Sequence, residues 1–228
     1  MTGVERVRAP RDRAERAARI LDVAADLLLR HGYRRVTIDD VATGADIGKG
    51  TVYLHWKSRD QLFGAVFTRE VCSAIAEVRQ ALVEEPQTCL LHRFAQSYFL
   101  AIARRPLLRG FLLADPELMG RLTVSLDDRH TEMARGYFEL LAEHRLLRDD
   151  MEVDEVGHAY QATFEGFLRA SADGWERRAD LLARTVRRAF ESDVVLPEPT
   201  VRELASATSA LLKDLIDADL ADSGAIPG

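Results

Sequence analysis

TIDDVATGADIGKGTVYLH, residues 37–55, contains two short apolar-periodic segments with a tight turn between them. Thr37-Ile38-Asp39-Asp40 is a Ser/Thr-x-x-acid helix start, and Val36 and Val41 stand where a hydrophobic staple is expected. A short helix over 38–44 follows. Ala45-Asp46-Ile47 is too short for anything but a turn, and 48–54 predicts a second short helix. Upstream, Ile20, Ala24, Leu27 and Leu28 recur at helical spacing, predicting a helix over 11–30 that His31-Gly32 ends with glycine in the cap. Downstream, Ser58-Arg59-Asp60-Gln61 is a second capping box, opening a long helix with Leu62, Val66, Val71 and Ile75 among its apolar positions. Two short helices joined by a brief turn, behind one helix and ahead of another, form a helix-turn-helix arrangement. Val41, Ala42, Ile47 and Val52 are the residues to pack the short helices together. The outer face of the second then presents Lys49, Thr51, Tyr53 and His55, a mix suited to phosphates and base edges.

The rest of the chain continues in the same period. Helices are expected over 88–104, 106–113, 116–147 with a break near Gly120, 153–172, 174–192 and 199–219, and no stretch alternates as a strand does. The fold class is therefore all-α: an N-terminal helix-turn-helix domain over 1–57, a larger helical domain over 58–220, and a disordered tail over 221–228. The 228 residues carry a net charge of −6, which counts against a nucleic-acid binder until it is divided along the chain. Residues 1–70 carry net +3 and residues 71–228 net −9, so a small basic head precedes an acidic body; local phosphate neutralisation, not total charge, sets DNA affinity. Arg6, Arg8, Arg11 and Arg13 ahead of the first helix are either a phosphate or minor-groove arm or a solvated terminus.

The segment 24–67 resembles the TetR/AcrR family of transcriptional regulators. The family pattern of a Gly-aromatic pair, a Thr opening helix two, an Ile/Val-Ala pair, Lys-Gly-Thr-x-Tyr-x-His-aromatic and Lys-Ser-x-x-x-Leu is met by Gly32-Tyr33, Thr37, Val41-Ala42, Lys49 to Trp56, and Lys57-Ser58 to Leu62. The resemblance implies that Thr37 binds phosphate at the start of helix two. It further implies that Lys49 and Thr51 reach the groove, that Tyr53, His55 and Lys57 touch the backbone, and that Gly50 allows close approach to DNA. Asp46 stands where the family usually has Gly and Gly48 where it often has Ser; Asp tolerates a left-handed turn and Gly is an acceptable N-cap, though one phosphate contact from the Ser hydroxyl is lost.

By the same resemblance the large domain binds a small-molecule inducer and dimerises. Bulky apolar groups from several helices, including Phe99, Leu112, Leu113, Met119 and Phe138, are enough to line a cavity or simply to fill a core. A mainly apolar ligand is expected there, with Phe94, Gln96, Tyr98, Phe111, Met133, Tyr137, Phe164 and Glu165 as its candidate contacts. Homodimerisation is expected through the helices at 153–172 and 174–192, with Tyr160, Ala162, Phe164, Gly166, Phe167, Leu182, Val186 and Phe190 at the interface; a two-fold operator calls for a two-fold protein. The expected function is that of a repressor on palindromic double-stranded operator DNA, the alternative being a helical ligand-binding or adaptor protein without operator function.

Other chemistries find little support in the residues. Gly44 to Thr51 has three residues between its first glycines and a Gly after Lys49, with no strand before it, so it fails the pattern of a P-loop; a nucleophile elbow, a zincin pair and a dinucleotide fingerprint are missing, and no enzyme, metal or cofactor is expected. Cys89 and His92 share a helix face, but packed thiol and surface imidazole account for them, and Cys72 and Cys89 read as free thiols. No apolar run approaches a membrane span, and a cytoplasmic location is expected.

Overall fold

The computed structural model describes residues 5–113, 128–170 and 174–223, with side chains from residue 12 onward. Its helices are α1 (Glu5–His31), α2 (Ile38–Gly44), α3 (Lys49–His55), α4 (Arg59–Glu84), α5 (Leu91–Ala103), α6 (Pro106–Leu112), α7 (Asp128–Glu143), α8 (Val153–Arg169), α9 (Trp175–Phe190) and α10 (Glu198–Ser223), with a 3-10 turn at Pro86–Cys89 ahead of α5. Among the described residues the sole β pairing is an isolated antiparallel bridge between Leu147 and Glu191, so the all-α expectation holds. Two compact units emerge, one of Met1–Cys72, Gly110–Val124 and Asp217–Gly228, the other of Ser73–Arg109 and Ser125–Ile216.

Several boundaries differ from those expected. The backbone is already helical at Glu5, so Arg6, Arg8 and Arg11 continue α1 instead of preceding it; Arg, Glu and Ala are strong helix formers, and Pro10 forfeits a single backbone bond in the opening turns. The expected helix over 88–104 begins later, at Leu91, because Pro86 starts a tighter 3-10 turn first. Of the helix expected over 116–147, Met119 and the break near Gly120 lie outside the described residues, and the remainder ends at Glu143, not Leu147. Arg145 takes φ 56° beyond it, and the amides of Arg145 and Leu146 donate to the carbonyls of Ala142 and Leu141 at 2.9 Å each. That pair of bonds is a Schellman stop, and it frees Leu146 and Leu147 to run beside 190–192. At the other end of the chain α10 continues to Ser223, past the expected 219.

In the first unit, α1 is amphipathic and buries Ile20, Leu21, Ala24 and Leu28. Opposite them lie Val36, Ile38, Val41, Ala42, Val52 and Trp56 from the helix-turn-helix and Leu62, Phe63 and Val66 from α4, all buried. Gly32, at φ 71°, closes α1 by donating its amide to the Leu28 carbonyl at 2.9 Å. Tyr33 behind it is buried, with its hydroxyl donating to Asp60, its ring edge-on to Phe63 at 5.5 Å and the Arg59 guanidinium 4.4 Å above it. The Gly-aromatic pair thereby ties the end of α1 to the start of α4.

In the second unit, α5 packs along α9 and crosses α8, and α7 packs on α8. The half-buried carboxylate of Glu191 accepts from the backbone amide of His92 at 2.7 Å and meets its imidazole Nδ1 at 2.8 Å, tying the start of α5 to the end of α9. Cys89 lies buried with its thiol directed at the Val201 carbonyl, 3.7 Å away, so thiol and imidazole turn to different partners. Among the described residues no three His, Cys, Asp or Glu gather as metal ligands, and no helix is long and apolar enough to cross a membrane. Cys72 and Cys89 are free and buried, and burial pushes their thiols up to about 12 and about 11 respectively, far from the thiolate that reacts at neutral pH.

Candidate nucleic-acid interface

The interface is built outward from the caps. Thr37 is the N-cap of α2: its hydroxyl accepts from the Asp40 amide at 3.2 Å, and the Asp40 carboxylate accepts from the Thr37 amide at 2.8 Å and from its hydroxyl at 2.7 Å. Those bonds hold Asp40 ionised and keep its carboxyl below the usual range. Val36 and Val41 are buried on either side, as the staple requires. The second box is looser than the pattern predicts. Ser58 accepts from the Gln61 amide at 3.1 Å, but the Gln61 side chain reaches one residue further, to the Lys57 amide at 2.8 Å.

The turn joining α2 to α3 is a Schellman motif with aspartate in its left-handed position. Asp46 has φ 54°, its amide donates to Thr43 at 3.1 Å, and the Ile47 amide donates to Ala42 at 3.0 Å. Gly48 then caps α3 from an extended conformation and supplies no side-chain bond. The reach from α1 is equally tight: a Cβ on Gly44 would lie 2.6 Å from Val23 Cγ1, so the end of α2 meets α1 where only a hydrogen fits.

With Val52 buried against α2, the remaining faces of α3 are set by its 3.6-residue period. Lys49, Gly50 and Tyr53 are exposed, Thr51 and His55 are half-buried, and Lys57 and Thr37 stand exposed at the neighbouring helix ends. A Cβ added to Gly50 would meet nothing within 4 Å, so the backbone there faces open space. Leu54, exposed on the same helix, adds an apolar group suited to a thymine methyl or a sugar edge.

Two neighbours of this face carry no motif signal in the sequence. Asp39, on the outer side of α2, holds Lys49 Nζ at 2.7 Å and raises the lysine's pKa through that bond. Burial, reinforced by Arg13 and Arg16 on α1, lowers the pKa of His55 below its ordinary 6.5, so the imidazole is neutral at physiological pH. The contribution of Arg16 depends on the packing of α1 beside α3, which linear spacing does not reveal.

The candidate ligand residues of the second unit fall into two groups. Phe94, Tyr98, Tyr137 and Phe164 join one aromatic cluster, with ring centroids 4.6 Å apart for Phe94–Tyr137 and 5.6 Å for Tyr98–Phe164, and Met133 lies half-buried one turn before Tyr137. Gln96 and Glu165 have partners at the surface instead: Gln96 donates to Asp180 at 2.7 Å, and Glu165 accepts from Gln161 at 3.0 Å. Phe111 belongs to the first unit, its ring tilted against that of Phe67. Within the cluster Tyr137 donates to the Cys89 carbonyl at 2.9 Å, whereas the buried Tyr160 hydroxyl finds no hydrogen-bond partner among the described residues. Burial raises the Tyr98 hydroxyl to about 12 and pushes Tyr160 higher still, so both are neutral donors.

The candidate dimer residues divide by face. Leu182, Val186 and Phe190 on α9 and Phe164 on α8 are buried within the chain itself, where α9 packs on α5 and α8. An apolar stripe on an amphipathic helix does not announce which neighbour it will meet. Ala162 and Gly166 lie exposed on α8, with Tyr160 and Phe167 half-buried at the margin, and a Cβ on Gly166 would meet nothing within 4 Å.

Residues 20–66 match the family model described as "Bacterial regulatory proteins, tetR family". An HTH-type transcriptional regulator of Mycobacterium bovis, Mb2274c, is 31% identical over 197 residues, spanning 84% of this chain and 82% of that protein. The HTH-type transcriptional activator FasR of Mycolicibacterium smegmatis is 36% identical over 75 residues, 33% of each chain, so the match spans a third of that relative's length. Among solved structures, CprB from S. coelicolor A3(2), a TetR family protein, superimposes with a TM-score of 0.55 at 20% identity, covering 88% of this chain and 99% of that one. With a dense N-terminal motif, an all-helical body of matching length and a relative aligned along most of both chains, this protein belongs to the TetR family of DNA-binding transcriptional regulators.

Proposed function

We propose that the protein is a homodimeric repressor that occupies a palindromic operator and leaves it when a small, mainly apolar molecule binds the second unit. The observation that carries the DNA half is the outer face of α3, where Lys49, Gly50, Thr51 and Tyr53 leave the helix open while Val52 anchors it. Thr37 and Lys57 flank this face as phosphate contacts, and His55 adds a neutral hydrogen-bonding ring. Two such heads related by a two-fold axis enter successive major grooves about 34 Å apart.

Gly166 supports the dimer. Among the described residues nothing requires a glycine there, and with Ala162 and Ala170 it forms an exposed strip of small residues that lets a second helix approach closely. Exposed Leu181 on α9 supplies an apolar contact. The ligand half rests on the buried, unpartnered Tyr160 hydroxyl in the aromatic cluster, which a bound molecule with an acceptor group would satisfy. Release follows if the ligand favours a conformer with the heads wrongly spaced.

Gel shifts with the DNA upstream of the protein's own gene, at graded salt, test the reading. Specific binding is expected to be lost in Tyr53→Ala and Lys57→Ala with helicity unchanged by circular dichroism. Gly50→Ala is expected to raise the melting temperature, through better helix propensity, while weakening operator binding. An unaltered operator affinity in all three variants would remove α3 from the interface.

A further inference from the structure

Arg178, on α9, is 6% exposed, with its guanidinium carbon 3.8 Å from the centre of the Trp175 ring and 6.0 Å from that of Phe99. Arg109, at the end of α6, places its own guanidinium carbon 4.6 Å from the same tryptophan. Nη1 of Arg178 caps the C-terminal end of α8, donating to the Ala170 carbonyl and to that of Phe167 at 3.4 Å. Nη1 of Arg109 donates to the Ala103 carbonyl at 3.0 Å. Among the described residues neither meets a carboxylate, although Arg69, Arg104, Arg105 and Arg148 each do. Nε of Arg178 is buried and has no hydrogen-bond partner among the described residues.

Two cations thus share one ring in a region that otherwise buries apolar groups. Ring faces and helix-end carbonyls offer only partial negative charge, and they leave the Nε edge of Arg178 unsatisfied. A buried charge without a counter-charge is among the most costly features a fold carries. Desolvation, followed by repulsion from Arg109, pulls the Arg178 pKa below its ordinary value, consistent with a missing anion. A carboxylate laid along the Nε edge makes forked, charge-assisted hydrogen bonds that supply both the acceptor and the charge. Trp175 lies 6.1 Å from Phe99, Phe99 lies 6.0 Å from Phe164, and Phe164 stacks on Tyr98, so a run of packed aromatic rings leads from the two cations into the cluster that holds the Tyr160 hydroxyl.

We propose that Arg109, Trp175 and Arg178 form the anion-receiving end of the effector site, and that the effector is a small organic acid whose carboxylate meets Arg178 while its apolar or aromatic body lies on Phe99 and Phe164. This rests on the ligand reading above and adds the chemical class to it.

The test compares acids with neutral isosteres: naphthalene-2-carboxylate and decanoate against their primary amides, titrated calorimetrically into the full-length protein. The acids are expected to bind at least about ten-fold tighter than the amides, equivalent to one unit in log Kd. Arg178→Gln and Arg109→Gln are each expected to cost most of that preference, weakening the acids far more than the amides. Arg178→Lys restores part of it, since an ammonium keeps the charge and loses the fork. Where Arg178→Gln lowers helicity by uncapping α8, Arg109→Gln carries the test alone. Acids and amides bound equally, or acids indifferent to Arg109→Gln, overturn the anion site and leave the ligand reading standing. Silence from all four probes overturns the anion site, and silence from a wider neutral panel as well removes the ligand reading with it.

Discussion

Asp46 sits at φ 54° in the turn between α2 and α3, a conformation that costs an ordinary L-residue about 1–2 kcal/mol and glycine nothing. Its short side chain lessens that strain but does not abolish it. Asp46→Gly therefore relieves strain in the fold while loosening the unfolded chain, and the balance favours stability by roughly 0.5–1 kcal/mol, seen as a rise of about 2–3 °C in melting temperature. A fall in melting temperature would mean that the carboxylate itself stabilises the turn. His55 predicts the opposite kind of behaviour, a loss. Its folded pKa lies below 6.5, so the unfolded chain takes up the proton first: the stabilising contribution is complete above 6.5 and lost as pH falls through the folded value. The melting temperature of the protein is expected to drop more steeply below about pH 6 than that of His55→Gln, and superimposable profiles would refute the assignment.

At the scale of the elements, α1 and α2 approach so closely that a methyl group at Gly44 lands 2.6 Å from Val23 Cγ1. Val23 is β-branched and has little rotamer freedom in a helix, so the clash has no cheap escape. Gly44→Ala gains up to about 1 kcal/mol in helix propensity and loses about 1–3 kcal/mol to overpacking, giving a net destabilisation. Chemical denaturation checks it, and Val23→Ala in the same chain is expected to cancel most of the clash; a stabilised Gly44→Ala would show that α2 shifts freely. The helix ends illustrate a graded legibility. The Thr37–Asp40 box, the glycine stop of α1 and the staple are read directly from neighbouring residues, because each bond spans four positions or fewer. The stop at Glu143 was not readable in that way, since it depends on Arg145 accepting a left-handed conformation in place of the usual glycine and on 190–192 being there to receive Leu147.

At the scale of the molecule, the face of α8 around Gly166 is the place where a second copy is expected. Gly166→Leu puts a large side chain where this subunit has open space, so the melting temperature and helicity of the protomer should hold, whereas sedimentation at micromolar concentration should move toward monomer. Dimerisation indifferent to that change would place the interface elsewhere. Leu182 and Val186 on the adjacent helix give the contrasting outcome. Both are buried within the subunit, so truncating either to alanine opens a cavity and destabilises the protein itself, by about 2–5 kcal/mol for Leu182→Ala.

The local code of residues 37–55 suffices for the helix-turn-helix and for the outer face of α3, because caps, turns and a 3.6-residue period act between neighbours along the chain. The same period predicts that the larger domain is helical and says which stripe of each helix is apolar. It is silent on which stripe meets which helix. Burial of Leu182, Val186 and Phe190 inside the subunit, the pairing of Lys49 with Asp39, the clearance at Gly44 and the gathering of Arg109 and Arg178 around Trp175 each join residues from different helices or distant turns. Such contacts are set by how helices cross, and hydrophobic burial, which drives the crossing, carries no direction of its own until the packed side chains give it one.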